Sequence, residues 1–132
     1  KRMKYQHEIH FTLEEANEKL DSIRPLIEEM MSLKRKLDNK GYDVYNHQYL
    51  GGSGPNGSGA FPAEMERLID IIRGMNKSGV MVKGIDRGLV DFPHLRNNGE
   101  EVYLCWKFGE GDINYWHTIP DGFTGRRNIS EL

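Results

Sequence analysis

The carboxy-terminal half of the sequence carries the ionisable residues best placed for chemistry. Asp91, His117 and Arg126 lie within or beside segments rich in aromatic residues. An imidazole can exchange protons or ligate a metal near neutral pH, and a guanidinium holds anions through paired hydrogen bonds. We predict a ligand site in which Arg126 holds an anion, His117 is an acid or base and Asp91 is its companion. The indoles of Trp106 and Trp116 would line this site.

A purely structural role for the same residues predicts no cleft. A carboxylate within an apolar run is costly to bury unless it is paired. Asp91 would then form an ion pair with His117 or Arg126 that ties the end of the chain to a sheet. A strand histidine bonded to a backbone carbonyl likewise needs no functional explanation. An accessible cleft beside the pair would distinguish a site from a structural pair.

Metal ligation is a further alternative. Asp91, His94 and His117 offer a mixed oxygen and nitrogen ligand set, but the motifs H-x-x-x-H and H-E-x-x-H are absent from the sequence. We therefore predict no cofactor, and name this trio as the place where a metal would bind. Cys105 is the single cysteine, which excludes a disulfide within the chain. We expect it to be a small buried residue, the alternative being a nucleophile activated by His117.

The helices that must position these residues precede Gly79. Apolar residues recur there with helical spacing, which predicts a helix over Leu13–Asn39 that begins with a capping box at Thr12. A second helix is predicted from Pro62 to about Gly79. Residues 42–61 between them are predicted to be a flexible, glycine-rich connector. The connector matches G-x-G-x-x-G, but no strand precedes it, and we reject a dinucleotide site.

Beyond Gly79 apolar residues alternate with polar ones, as in strands that bury one face. Residues 89–92 and 102–108 are such segments. Between them lies Asn98-Gly99, a dipeptide typical of a two-residue hairpin turn. The alternation therefore predicts antiparallel strands in this half of the chain.

Together these segments predict an α+β fold. We expect a long antiparallel helical hairpin over residues 12–78, packed on a small antiparallel sheet of three or four strands. The sheet and an irregular carboxy-terminal strap would occupy residues 80–128. The whole chain, 1–132, would be a single domain.

The length of the first helix predicts a partner. At about 1.5 Å per residue, it exceeds the width of four strands spaced roughly 4.8 Å apart. Part of its apolar stripe would stay uncovered and bind a second copy, which makes a homo-oligomer through the first helix. The favoured function is therefore a non-catalytic binding or interaction module that self-associates. The alternative is a small-molecule or metal site, or an enzyme, around Asp91, His117 and Arg126.

Composition narrows the remaining classes. The chain has 18 basic and 20 acidic residues and a net charge of −2, so it lacks the basic surplus of nucleic-acid-binding domains. No apolar run reaches the roughly 20 residues that a membrane helix needs. No apolar region follows Lys1–Lys4, so no secretory signal is expected. We expect no membrane or nucleic-acid partner and, given the cysteine content, a cytoplasmic location.

Several short motifs follow one another along the chain in an order that suggests one protein family. They are Phe11-Thr12-Leu13-Glu14-Glu15-Ala16-Asn17, Arg24-Pro25-Leu26, Gly88-Leu89-Val90-Asp91-Phe92-Pro93, Val102-Tyr103-Leu104-Cys105-Trp106, Trp116-His117 and Gly122-Phe123-Thr124-Gly125-Arg126. As an ordered set they resemble DUF2203, a prokaryotic family of unknown function. The resemblance extends from Phe11 to Arg126 apart from the connector. It implies a small prokaryotic protein and no particular activity.

Overall fold

The computed structural model describes residues 5–50 and 62–132, and these form a mixed α+β fold. Two helices accompany one two-stranded and one five-stranded antiparallel sheet. Neither helix is long and apolar enough to cross a membrane. In chain order the elements are α1 Leu13–Asn39, β1 Tyr42–Asp43, β2 Gln48–Tyr49, α2 Ala63–Lys77, β3 Met81–Gly84, β4 Leu89–Leu95, β5 Glu101–Lys107, β6 Tyr115–Thr118 and β7 Arg127–Asn128.

The first helix begins and ends where its sequence pattern predicts. The Thr12 hydroxyl accepts a hydrogen bond from the Glu15 amide at 3.0 Å, and the Glu15 carboxylate accepts one from the Thr12 amide at 2.9 Å. This capping box satisfies two amides that have no partner within the helix. Gly41, with φ +71°, follows the cap and lets the chain turn away.

The core lies between the helices and one face of the five-stranded sheet. Strand residues that alternate along β4, β5 and β6 supply its largest side chains, among them Phe92, Leu104, Trp106 and Trp116. The α2 stripe of Met65, Leu68, Ile71 and Met75 is buried against it. The apolar faces of the helices and of the strands thus pack together in a single core, as expected for this fold class.

The predicted helical hairpin was wrong in its connection, which we expected to be a flexible segment over residues 42–61. The helices do contact each other, through ion pairs between Lys40 and Glu64 at 2.9 Å and between Arg67 and Glu29 at 2.8 Å. The chain between them, however, contains the β1–β2 hairpin, in which Tyr42 pairs with Tyr49. This hairpin packs against α1 and adds Tyr42 to the core. The rest of the predicted flexible connector, 51–61, lies outside the described residues, as do residues 1–4.

The main sheet has five strands in the order β3-β4-β5-β6-β7, so the predicted count of three or four was too low. The additional strand is β7, which comes from the predicted irregular strap and pairs with β6. Two residues leave no visible alternation in a sequence. Their pairing depends on contact with β6.

The loop between β4 and β5 differs from the predicted two-residue turn. The Gly99 amide donates to the Arg96 carbonyl at 2.8 Å, and Gly99 has φ +87°, as in a type I turn followed by a glycine bulge. This longer loop pairs Asp91 with Cys105, whereas a two-residue turn would pair it with Trp106. A one-residue shift in register moves every side chain of a strand to the other face of the sheet. This loop therefore determines which side chains of β5 lie on the same face as Asp91.

Candidate functional site

Three ionisable side chains converge on the sheet face that points away from the helices. Asp91 lies on β4, Cys105 on β5 and His117 on β6, and each alternates with core residues. They are only 2%, 1% and 3% exposed, respectively. One ligand atom from each side chain lies within 4.8 Å of the other two. We call these three residues the donor trio.

His117 reaches across β5 to Asp91. Its Nε2 lies 3.0 Å from Asp91 Oδ2, and its Nδ1 lies 2.7 Å from the Thr118 carbonyl oxygen. A carbonyl oxygen can only accept, so Nδ1 must carry a proton. Nε2 faces a second acceptor, the carboxylate. The geometry therefore suits an imidazolium that donates from both nitrogens, or a neutral imidazole whose Nε2 binds a cation.

The surroundings of His117 raise its pKa above the ordinary value. Burial is the largest influence and lowers the pKa. The hydrogen bonds to Asp91 and to the Thr118 carbonyl, with the negative charge of Asp91, together outweigh burial. Lys83 acts in the opposite direction. The two acceptors therefore favour the charged form of this imidazole more than water does for a free histidine.

Cys105 is a neutral thiol in this environment. Burial raises its pKa far above the ordinary value, and the negative charge of Asp91 adds to the effect. Arg126 opposes these influences without cancelling them. Both ring nitrogens of His117 already face acceptors. The geometry thus gives no support to a thiolate nucleophile with His117 as its base.

Asp91 retains one unsatisfied atom. Its Oδ1 is fully buried and has no hydrogen-bond partner within the described part of the chain. Such an atom loses its hydration without compensation, which makes it costly in a folded protein. An orphan carboxylate oxygen beside a thiol and an imidazole has the polarity of a cation site.

Comparison with known proteins gives the chain a family. The model of DUF2203, described as an uncharacterized conserved protein, matches residues 10–129. The chain belongs to the DUF2203 family. This confirms the resemblance drawn from the short motifs. No curated protein and no solved structure matches the chain.

Arg126 of this DUF2203 protein is engaged away from Asp91. Its guanidinium pairs with Glu110, with nitrogen–oxygen distances of 3.0 and 2.9 Å. It also stacks on Tyr115 and Phe123, 4.1 and 4.2 Å from the ring centroids. The predicted anion-holding guanidinium thus ties the strap to the β5–β6 turn. Its charge still reaches Cys105, as the pKa of that thiol indicates.

The other predicted site residues lie on the helix-facing side of the sheet. Trp106 and Trp116 are part of the core, and their indole nitrogens donate to the backbone carbonyls of Gly111 and Asn128. His94 Nδ1 lies 2.7 Å from the Phe11 carbonyl oxygen. Of the sequence-predicted ligands, the structure brings together Asp91 and His117. Cys105 takes the third position, where His94 was expected.

Sequence reasoning also missed how the amino-terminal segment covers the trio's neighbour, Tyr103. The Tyr103 hydroxyl lies 2.6 Å from His7 Nε2, and its ring meets His117 edge-on at 5.4 Å. His10 pairs with Glu101 at 2.8 Å. Alternation along β5 already places Tyr103 and Cys105 on one face. Nothing local predicts that residues so far apart in sequence meet there.

Self-association through α1 stays a prediction. Within the described residues, most of the apolar stripe of α1 is buried inside the chain, whereas Leu13, Leu26 and Met31 are only partly buried. The buried apolar residues of α1 are Ala16, Leu20, Ile23, Ile27, Met30, Leu33 and Leu37.

The Asp91–His117 pair should make stability depend on pH. A raised folded-state pKa means that the pair's contribution is complete below the unfolded value of 6.5 and is lost as pH rises through the folded value. We expect the difference in unfolding free energy between wild type and His117→Leu to shrink as pH rises above 6.5. Urea titrations with a metal chelator at constant ionic strength measure this difference. A difference that grows with pH would contradict the charged-imidazole assignment.

Proposed function

We propose that this DUF2203 protein binds a transition-metal ion through the donor trio. The unpartnered Oδ1 of Asp91, buried within reach of an imidazole nitrogen and a thiol sulfur, carries the proposal. A cation would satisfy that oxygen and take the position of the proton between His117 and Asp91. Zinc is the ion that best suits this set of nitrogen, sulfur and oxygen donors.

The environment of His117 supports ligation through Nε2. Histidine ligands usually donate their other ring N–H to a carbonyl or carboxylate, which fixes the tautomer and orients the ring. The Thr118 carbonyl accepts such a bond from Nδ1 at 2.7 Å. Nε2 then carries a free lone pair and lies 3.0 Å from Asp91 Oδ2. The hydrogen bond that would orient the ring as a metal ligand is therefore already formed.

The spacing of the donors is close to what the ion requires. Around a tetrahedral zinc ion, with bonds of about 2.0–2.3 Å, neighbouring donors lie roughly 3.5 Å apart. The trio's atoms lie within 4.8 Å of one another, so small side-chain rotations bring them to an ion. Three protein ligands leave a fourth position for water or another group.

The buried trio is also easier to reach for a bare ion than for an organic ligand. The side chains of the trio are at most 3% exposed, so an organic ligand could reach them only after the residues that cover them had moved. Organic substrates need a cleft, whereas an ion needs only donors and a path of entry. We therefore propose binding without catalysis. A cytoplasmic location would keep the Cys105 thiol reduced and able to ligate.

Titration with Co²⁺ tests the proposal, because thiolate ligation to Co²⁺ produces a charge-transfer absorption band. The ion is added to the native protein and, separately, during refolding, since the trio is buried. We expect one equivalent to bind, with a thiolate band. Affinity should rise with pH because the ion displaces protons from Cys105 and His117. Zn²⁺ should displace Co²⁺ and abolish the band.

Single substitutions assign the ligands. Cys105→Ser should abolish the thiolate band, and Asp91→Asn or His117→Gln should weaken binding about tenfold or more. His94→Gln is the matched control, because His94 lies on the opposite side of β4, and it should bind Co²⁺ like the wild type. Absence of the band in both native and refolded wild type would refute the proposal. Loss of binding in His94→Gln with retention in Cys105→Ser would favour the sequence-predicted trio instead.

A further inference from the structure

A second candidate site lies between the β1–β2 hairpin and α2, apart from the donor trio. It is an open cavity of about 600 Å³, a volume typical of small-molecule sites. The buried core residues Val44, Met65 and Leu68 form its floor. Its walls are three half-buried isoleucines, Ile69 and Ile72 of α2 and Ile85 of the β3–β4 turn.

The rim of this cavity is basic. Arg73 and Lys77 are exposed, line the cavity and lie one helical turn apart on α2. No carboxylate belongs to the lining, and neither cation forms an ion pair with a described residue. The cavity thus combines an apolar interior with uncompensated positive charge at its edge.

We infer that this cavity binds a free aliphatic carboxylate, a fatty acid of medium chain length. The alkyl chain would displace water from the isoleucine walls, and that burial supplies the main driving force. The carboxylate would stay at the rim, where Arg73 and Lys77 attract it without a buried charge. The inference is independent of the proposed metal site, because none of the trio lines this cavity.

Charge complementarity favours this ligand over a second copy of the chain. The apolar floor and walls end at two cations, so the best occupant is apolar over most of its length and anionic at one end. A second copy docked here would have to neutralise or desolvate both cations as well as cover the groove. Tyr45, which is 64% exposed, lies on the same rim and adds apolar surface for the alkyl chain.

Binding of dodecanoate by the full chain tests the inference. Isothermal titration should detect one site, and methyl NMR should show shifts at Ile69 and Ile72. The cation dodecyltrimethylammonium, with the same alkyl chain, should bind more weakly. Added salt should weaken dodecanoate binding because the rim charges are exposed. Lipid vesicles that contain no free fatty acid should produce none of these shifts.

Charge reversal provides the decisive variants. Arg73→Glu with Lys77→Glu should weaken dodecanoate binding about tenfold or more and reverse the preference between the two amphiphiles. Arg35→Glu with Lys36→Glu changes the charge equally at exposed positions of α1 and should leave binding unchanged. Equal weakening by both pairs would overturn the inference, as would absent methyl shifts. Light scattering distinguishes a second copy of the chain as the occupant. A dimer that dodecanoate leaves intact, together with methyl shifts that depend on protein concentration and not on dodecanoate, would assign the cavity to that second copy. This result would also overturn the inference.

Discussion

Replacing His117 with Leu should lower the free energy of unfolding by about 3–5 kcal/mol when metal is chelated. The substitution removes the imidazole donor that lies 3.0 Å from Asp91 Oδ2, while Oδ1 already lacks a partner among the described residues. Both carboxylate oxygens would then be buried without a partner, in a group that is 2% exposed. Desolvation of an unpaired charge is the costly part of such a change.

The double variant Asp91→Leu with His117→Leu should recover most of this loss. Replacing a buried ion pair with apolar side chains is often neutral or stabilising, because neither charge has to be desolvated. Urea denaturation of the wild type, both single variants and the double variant gives the coupling energy directly. If the two single losses simply add in the double variant, the pair is not a coupled unit. Retention of the native fold in the double variant would also permit a metal-binding control.

Replacing Gly88 with Ala should lower the free energy of unfolding by about 2–5 kcal/mol, the sum of backbone strain and overpacking. Gly88 lies in the turn before β4 with φ +61°. An added Cβ would lie 2.8 Å from Phe108 Cβ and 3.0 Å from Ile27 Cγ2. Neither atom is the free end of a flexible side chain, so α1 and the end of β5 would both have to move.

Gly41→Ala is the matched control for Gly88→Ala. Gly41, which follows the cap of α1 as a left-handed glycine, has a similar φ of +71°, but nothing lies within 4 Å of its added Cβ. Its loss should therefore be only the strain of a left-handed backbone, about 1–2 kcal/mol. The difference between the two variants in chemical denaturation isolates the steric contribution. Equal losses would show that the contact between α1 and this turn relaxes without cost.

Local signals in the sequence predicted much of the fold. The capping box at Thr12 and the helical spacing of apolar residues predicted α1 over Leu13–Asn39, and the structure has those bounds. The change to alternation after Gly79 correctly predicted antiparallel strands packed under the helices. These features depend on hydrogen bonds and burial within a few residues of each other. The two-residue strand β7 has no such local signal and was missed.

The candidate site was predicted in part, and one of the predicted ligands was placed against the rules of strand geometry. Asp91 and His117 were paired from their residue types, and the structure places them 3.0 Å apart. His94 is three positions from Asp91 on the same strand, so alternation alone puts it on the opposite face. Cys105 satisfies the alternation and occupies the third position. Arg126 was assigned by charge, but its partner is Glu110.

By itself, the sequence determined the two helices, four of the five strands of the main sheet, the family and the residue types able to bind a metal. Only the tertiary structure decided which of them meet. The trio comes from three strands, so its assembly depends on two strand registers at once. One extra loop residue at Gly99 places Asp91 opposite Cys105 instead of Trp106. Local periodicity carries no information about such a shift, because register depends on loop conformation and on burial by distant segments.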